Sequence, residues 1–360
     1  MKTKYIYSLC IMLSMALGLS SCLKGEDETD YSQYDDMAIV TFTLTSVNRY
    51  IHKTSSSNTD SIVIQKLTNF PVFTIDQYGQ AIYNREPLPA DCDLKHVLAT
   101  ITSKNNGQIV MKSLMSDSLF YYSSTDSIDF SQPREFRVYA LNGEGYRTYT
   151  VTLNIEDADT DDIEWESVEN ADDAPKALYQ DIVLQRNVLD GDEGDTFRLS
   201  KDGGDTWTYE LLGEGEDASQ LPTSGIAWVS FPYSASKNAD YELMVGTCDD
   251  NSGDCTVWRK IIDKDATTSA KWVNIPIEDS NNYTLPKMDP ISLAWFHGSL
   301  YAFGNNGKIY LTRDGGIMWK VTDDLPLPEG LESNRIKAAT DEDGRLYLRD
   351  LDNEQLWRTK

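Results

Sequence analysis

Histidine is nearly missing from this chain of 360 residues, which holds only His52, His96 and His297. No pair of them has the spacing of a zinc site, and a serine–histidine–acid constellation would have to be assembled from isolated members. Cysteine is sparse too, with five in all, and only Cys22, Cys92, Cys248 and Cys255 follow the first 21 residues. That number excludes a small scaffold stapled by disulfides, so the core must be hydrophobic. Positive charge is outnumbered, 32 basic residues against 58 acidic ones for a net charge of −26. A basic footprint for nucleic acid or an anionic lipid surface is therefore excluded. Beyond the N-terminus no apolar run is long enough to cross a bilayer.

At the N-terminus, Lys2 and Lys4 precede an uncharged apolar stretch from Tyr5 to Leu19. A spanning helix needs about 20 apolar residues with anchoring flanks, whereas a secretory core needs only about 7–15, so residues 1–21 read as an export signal. Leu19-Ser20-Ser21-Cys22 resembles the bacterial lipobox, and the resemblance implies that Cys22 is lipidated and becomes the new N-terminus. The following residues, 22–36, are acidic and poor in apolar side chains, so they form a solvated tether. Within them Lys24, followed after Gly25 by Glu26-Asp27, is similar to the surface-export tag of Bacteroidota lipoproteins. Together these likenesses imply an outer-membrane protein, anchored by lipid and exposed on the outer face. Removing residues 1–21 takes Lys2 and Lys4 and no acid, which leaves 30 basic against 58 acidic residues.

Residues 37–156 read as short alternating runs broken by turn residues. In FRVYALNGEGYRTYTVTLNI, Phe136, Val138 and Ala140 share one face, and Tyr149, Val151, Leu153 and Ile155 share one face of the partner strand. Period two predicts half-buried strands, and Asn142-Gly143-Glu144-Gly145 supplies the residues that a hairpin turn needs. The spacing predicts an antiparallel sandwich of roughly seven strands. SIDFSQPREFRVYALNGEGYRTYTVTLNI, with the earlier PLPADCDLKHVLATI, resembles the immunoglobulin-like or cadherin-like modules that follow the lipid anchor in Bacteroidota surface proteins. Such a module implies a spacer with no catalytic residues.

The stretch 157–164 is a charged linker. Asp157, Asp159 and Asp161 have the alternate spacing of a calcium loop, but Asp162 and Val168 stand where an EF-hand needs glycine and a bidentate acid. From 165 to 360 the chain repeats a strand, a glycine-rich or acidic turn, another strand and a tryptophan. Trp165, Trp207, Trp272, Trp319 and Trp357 are separated by 42, 65, 47 and 38 residues. Periods near 40–50 with several strands each predict propeller blades, about four of them, with closure of the ring left open. Ser200-Lys-Asp202-Gly-Gly204-Asp-Thr-Trp207 is echoed by Thr312-Arg-Asp314-Gly-Gly316-Ile-Met-Trp319. Both resemble the Asp box of sialidase-like β-propellers, a turn between the third and fourth strands of a blade. The chemistry is local: aspartate accepts backbone hydrogen bonds, glycine permits positive φ and tryptophan packs between blades. Trp165-Glu-Ser, similar to Trp272-Val-Asn, reads as a closing strand shared between the first and last blades.

The fold expected is therefore all-β, an immunoglobulin-like sandwich followed by an Asp-box propeller. An Asp box is turn structure and implies no sialidase activity by itself, and the Arg-Ile-Pro segment that opens sialidase propellers is absent. No catalytic residue, metal or cofactor is assigned. The polar turn between Cys248 and Cys255 suggests a local disulfide across a hairpin, leaving Cys92 without a mate. Aromatics alternate with small polar residues in AWVSFPYSASKNADYE and LAWFHGSLYAF, which serves blade core and also allows a platform for a glycan or a partner protein. The expectation is a surface binding protein acting through its propeller; the alternative is a glycoside hydrolase using propeller carboxylates on a polysaccharide.

Overall fold

The computed structural model describes residues 35–54, 60–156, 163–169, 171–186, 196–233, 238–249, 252–276, 283–331 and 333–360. The architecture is all-β, and among the described residues the helices are short 3-10 turns. The signal, the tether up to Tyr34, Cys22 among it, and the linker aspartates lie outside the described residues.

Among the described residues the N-terminal unit holds ten strands between Ile39 and Thr152, eight of them in a two-sheet sandwich. Its small sheet pairs Ile39–Ser46 with Leu98–Ser103. Its large sheet has six strands in the order Phe73–Asp76, Ala81–Asn84, Tyr146–Thr152, Arg134–Tyr139, Ile109–Lys112 and Leu119–Tyr121. One pair departs from the antiparallel expectation, because Tyr146–Thr152 runs parallel to Ala81–Asn84. The alternating residues do what period two requires: Phe136, Val138, Tyr149 and Val151 are fully buried and meet Phe42, Leu44 and Ile101 of the small sheet. Ile155 does not follow them inward; it is 44% exposed, since the strand has already ended at Thr152. The hairpin Asn48–Thr54 with Asp60–Lys66 forms a separate two-stranded sheet.

The C-terminal unit builds four blades from its described strands. Blade I holds Val183–Gln185, Thr196–Ser200 and Thr208–Leu212; blade II holds Ser224–Pro232, Ala239–Thr247, Thr256–Asp263 and Lys271–Asn274. Blade III holds Ser292–Phe296, Ser299–Phe303, Ile309–Thr312 and Lys320–Thr322. Blade IV takes Ile336–Thr340, Leu346–Asp350 and Leu356–Thr359 and borrows its outer strand, Trp165–Ser167, from the start of the unit. That antiparallel pairing, Trp165 opposite Thr359, is the closing strand that the sequence suggested.

Four apolar layers close the ring. Phe197, Leu199, Met244, Trp258 and Trp272 fill the gap between blades I and II. Leu243, Val257, Leu293, Leu300 and Trp319 lie between blades II and III, and Phe296, Leu311, Ala338 and Leu348 lie between III and IV. The smallest layer, Leu178, Ala339, Tyr347 and Leu356, joins IV to the segment ahead of blade I. The outer strands of blades I and II also pair in parallel, Leu212 opposite Trp272. The tryptophan ladder now has a structural meaning: Trp165, Trp207, Trp272 and Trp319 stand within one residue of the start of the outer strand of a blade. Trp357 is the exception, lying in the third strand of blade IV.

The two units meet through a buried polar seam. Arg259 of blade II is fully buried and its Nη2 donates to Asp76 Oδ2 of the sandwich at 2.6 Å. Its Nη1 reaches Gly315 O at 3.1 Å, and its guanidinium lies 4.7 Å from the centre of the Tyr241 ring. Around this pair Tyr83 and Tyr241 hydroxyls are 3.3 Å apart, Tyr233 donates to Gly79 O, and Thr74 donates to Asp314 at 2.9 Å. The sandwich is thus fastened to the flank of blades II and III.

Candidate functional site

The inner strands of blades II, III and IV, with residues 180–184 of blade I, surround a central channel of about 1050 Å³. Every described residue that lines it belongs to the C-terminal unit. Strand alternation decides which side chains face neighbouring blades. Ala227 and Phe231 join the layer toward blade III, whereas Ile226 and Trp228 turn toward blade I.

Two tryptophans stand among the apolar residues of the channel wall. Trp295 is partly exposed and is backed by Phe231, with ring centres 4.9 Å apart and an 18° interplanar angle. A backed ring keeps its orientation and can stack against the C–H face of a sugar or an apolar side chain. Trp228 is likewise partly exposed, and Lys201 Nζ sits 3.6 Å from its ring centre. That lysine is held by a charge network reaching into the layer between blades I and II. Lys201 Nζ donates to Glu242 Oε1 at 2.9 Å, Lys260 Nζ lies 2.7 Å from Glu242 Oε2, and the same lysine donates to Glu210 at 2.6 Å. Trp272 Nε1 adds a further bond to Glu210 at 2.8 Å. Burial alone would push the Glu242 carboxyl up; Lys260 and Lys201 outweigh it and hold the group below its ordinary value.

The lining carries Asp181, Asp289, Asp341, Glu342 and Asp343 against Lys201 and Lys337, so the channel is acidic. Both lysines are already paired, Lys337 with Asp181 at 2.6 Å and Lys201 with Glu242. Arg345 takes Asp341 and Asp343, each at 2.8 Å. Burial pushes Asp341 up, but hydrogen bonds from Arg345 prevail and keep it below the usual carboxylate range. Three of the five carboxylates are thereby tied in ion pairs, which suits a fixed wall better than an acid poised to give up a proton.

The sequence-derived residues fall elsewhere. In both octapeptides the aspartate accepts from the backbone N–H four residues on, Asp202 from Thr206 at 2.8 Å and Asp314 from Met318 at 2.9 Å. In both, the hydroxyl residue donates to the aspartate, Ser200 at 2.7 Å and Thr312 at 2.9 Å, and accepts from Gly204 or Gly316. Trp207 and Trp319 donate their Nε1 protons back to Gly204 O and Gly316 O. The bonds are alike and the surroundings are not. Asp314 and Trp319 are buried, against the sandwich and blade II respectively, whereas Trp207 is half-buried with Arg198 5.4 Å from its ring centre. Packing between blades therefore holds for Trp319 and not for Trp207.

The expected Cys248–Cys255 disulfide is not formed, and both side chains are buried thiols. In the hairpin Ala239–Thr247 with Thr256–Asp263, Gly246 stands opposite Thr256, so continuing the register sets Cys255 opposite Thr247 and not opposite Cys248. The one-residue offset points the two side chains to different faces. Cys255 Sγ donates instead to Pro286 O at 3.3 Å, and burial pushes its thiol up to about 12. Cys92 is a half-buried thiol in the sandwich. His297 occupies the turn between the first two strands of blade III, with φ of 45°, at one edge of the channel. Among the described residues no group of three or more His, Cys, Asp or Glu is arranged to hold a metal ion.

Sequence reasoning marked both aromatic segments without separating wall from core. Trp228 and Trp295 line the channel, while Phe231 and Tyr241 of the same segments are core. Nothing in the alternation distinguished them, because the inner strand of a blade is flanked by protein on both faces.

No curated protein matches the chain at a significant level. Among solved structures it is similar to an α-L-arabinanase of Penicillium chrysogenum complexed with arabinobiose, at 9% identity over 90% of this chain and 98% of that one, with a TM-score of 0.27. A protein of Bacteroides fragilis described as secreted aligns at 11% identity over 34% of this chain and 98% of that one, TM-score 0.23. The NanB sialidase of Streptococcus pneumoniae aligns at 13% identity over 88% of this chain and 38% of that one, TM-score 0.22. Scores this low carry no argument about function. Residues 42–153, within the sandwich, match the family described as the N-terminal domain of a domain of unknown function, DUF6242.

Proposed function

We propose that this is a lipid-anchored binding protein of the outer cell surface, whose propeller channel takes a neutral glycan. In this reading Cys22 carries the lipid, the immunoglobulin-like sandwich sets the propeller away from the membrane, and the two octapeptides are Asp boxes that serve the blades. The observation that carries it is the open channel of about 1050 Å³ with Trp295 backed by Phe231 on its wall. Ligand sites of about 300–1000 Å³ that combine aromatic walls with a few polar groups are the usual form of a small-molecule site. The acidic lining, with its lysines already paired, disfavours sialylated or sulfated chains and leaves neutral sugars.

The test is a glycan screen on the purified protein and on its Trp295→Ala and Trp228→Ala variants. Binding of neutral oligosaccharides by the parent, lost in Trp295→Ala at an unchanged melting temperature, is the expected result. Equal binding by both variants would remove the channel from the account, and release of shortened sugars would turn the reading toward hydrolysis.

A further inference from the structure

Where the sandwich meets blade III, three cations converge on one small notch. Arg85 follows the sandwich strand Ala81–Asn84, Arg313 opens the turn after Ile309–Thr312, and Lys320 begins the outer strand of blade III. With Leu311, Asp314 and Met318 they line a cavity of about 20 Å³. In a chain with 58 acidic and 32 basic residues, a cation has every chance to find a carboxylate. Here two of the three have none among the described residues. Arg313 makes neither an ion pair nor a hydrogen bond there, and Arg85 gives its Nε to the Thr74 hydroxyl at 3.1 Å. Lys320 meets Glu86 at the rim.

Asp314 also lines the notch but makes no ion pair with any of the three; its oxygens accept instead from Met318 N, Thr312 Oγ1 and Thr74 Oγ1. The crowding of like charge is felt as well: burial, and then the neighbouring Arg85, lower the affinity of Lys320 for its proton. A site whose cations repel one another is stabilised when an anion enters.

We propose that this notch binds one oxyanion group, a carboxylate, sulfate or phosphate, with Arg85, Arg313 and Lys320 as its donors. The guanidinium fork suits such groups and forms charge-assisted hydrogen bonds with them. Size sets the mode of entry, since about 10–15 Å³ is needed for one water, so the notch admits a single oxygen while the rest of the ligand stays outside. The notch shares no lining residue with the central channel and does not depend on the reading of that channel.

Titration calorimetry of the purified protein with sodium phosphate, sodium sulfate and sodium glucuronate, at constant ionic strength set with sodium chloride, tests the proposal. The expected result is saturable one-to-one binding of at least one of the three. Arg313→Gln should weaken it about tenfold through the loss of a charge-assisted bond, and Arg85→Gln should do the same. Response to glucuronate alone assigns a carboxylate-bearing ligand; response to phosphate or sulfate assigns an ester or a free ion. Should one variant fail to fold, the other carries the comparison. Absence of binding by all three anions, or binding that both variants leave unchanged, overturns the proposal.

Discussion

Replacing Arg259 by methionine removes the cation from the seam between sandwich and propeller and leaves its partner in place. Asp76 is 4% exposed, and without Arg259 its carboxylate keeps the Gly79 N–H at 2.8 Å and a long contact from the Tyr241 hydroxyl at 3.4 Å. Gly315 O loses its donor as well. Breaking a buried pair from one side costs about 3–5 kcal/mol, most of it the penalty of a stranded charge. If that is the mechanism, the double variant Asp76→Leu/Arg259→Met, which removes both charges, should recover most of the loss. All eight tryptophans lie between Trp165 and Trp357, so tryptophan fluorescence reports the propeller alone while far-ultraviolet circular dichroism reports both units. Urea melts of the parent should coincide by the two probes, whereas Arg259→Met should lower the midpoint and separate them. A loss below about 1 kcal/mol would show that the pair does not couple the units. A double variant as unstable as the single would show that the cost is lost packing and not a stranded charge.

Three further outcomes follow from the same geometry. The two octapeptide aspartates should titrate in opposite directions: hydrogen bonds from Thr206, then from Ser200, hold Asp202 at about 2, whereas burial holds Asp314 above its ordinary 3.8. Asp202 therefore stabilises the fold above pH 3.8 and loses that contribution as pH falls through about 2, while ionised Asp314 costs stability at neutral pH and the cost is relieved on acidification; carbon-detected carboxyl titrations check both midpoints. Gly203→Ala and Gly315→Ala both force a side chain onto positive φ, at 77° and 69°, but only at Gly315 does the new Cβ fall 2.6 Å from Arg259 Nη1. Thermal melts should show about 1 kcal/mol lost at Gly203 and a further 1–3 at Gly315 from overpacking, and equal losses would place Gly315 outside the seam. Cys255, with its thiol pushed up to about 12, should resist iodoacetamide at pH 8 in the native protein, and both it and Cys248 should be alkylated on unfolding without reductant; because the unfolded thiol ionises near 9, native stability should decline as pH rises above that value. A peptide map that joins Cys248 to Cys255 would contradict the register of their hairpin.

What the sequence determined by itself is local in origin. Alternation at Phe136, Val138, Tyr149 and Val151 placed those residues in the core because a strand sends every second side chain to one face. The two octapeptides specified their own hydrogen bonds because aspartate, hydroxyl, glycine and tryptophan all lie within eight residues of one another. Trp165-Glu-Ser was legible as an outer strand because it repeats the pattern of Trp272-Val-Asn in an outer strand of another blade. The tertiary structure decided everything that depends on which surfaces meet. It closed four blades by pairing Trp165 with Thr359, buried Trp319 while leaving Trp207 half-open, and set Asp76 against Arg259, 183 residues away. It also set Trp228 and Trp295 on the channel wall while Phe231 and Tyr241 of the same segments went into the core, and offset Cys248 from Cys255 by one position. Those outcomes are sums over distant contacts, and a pattern of near neighbours carries no record of them.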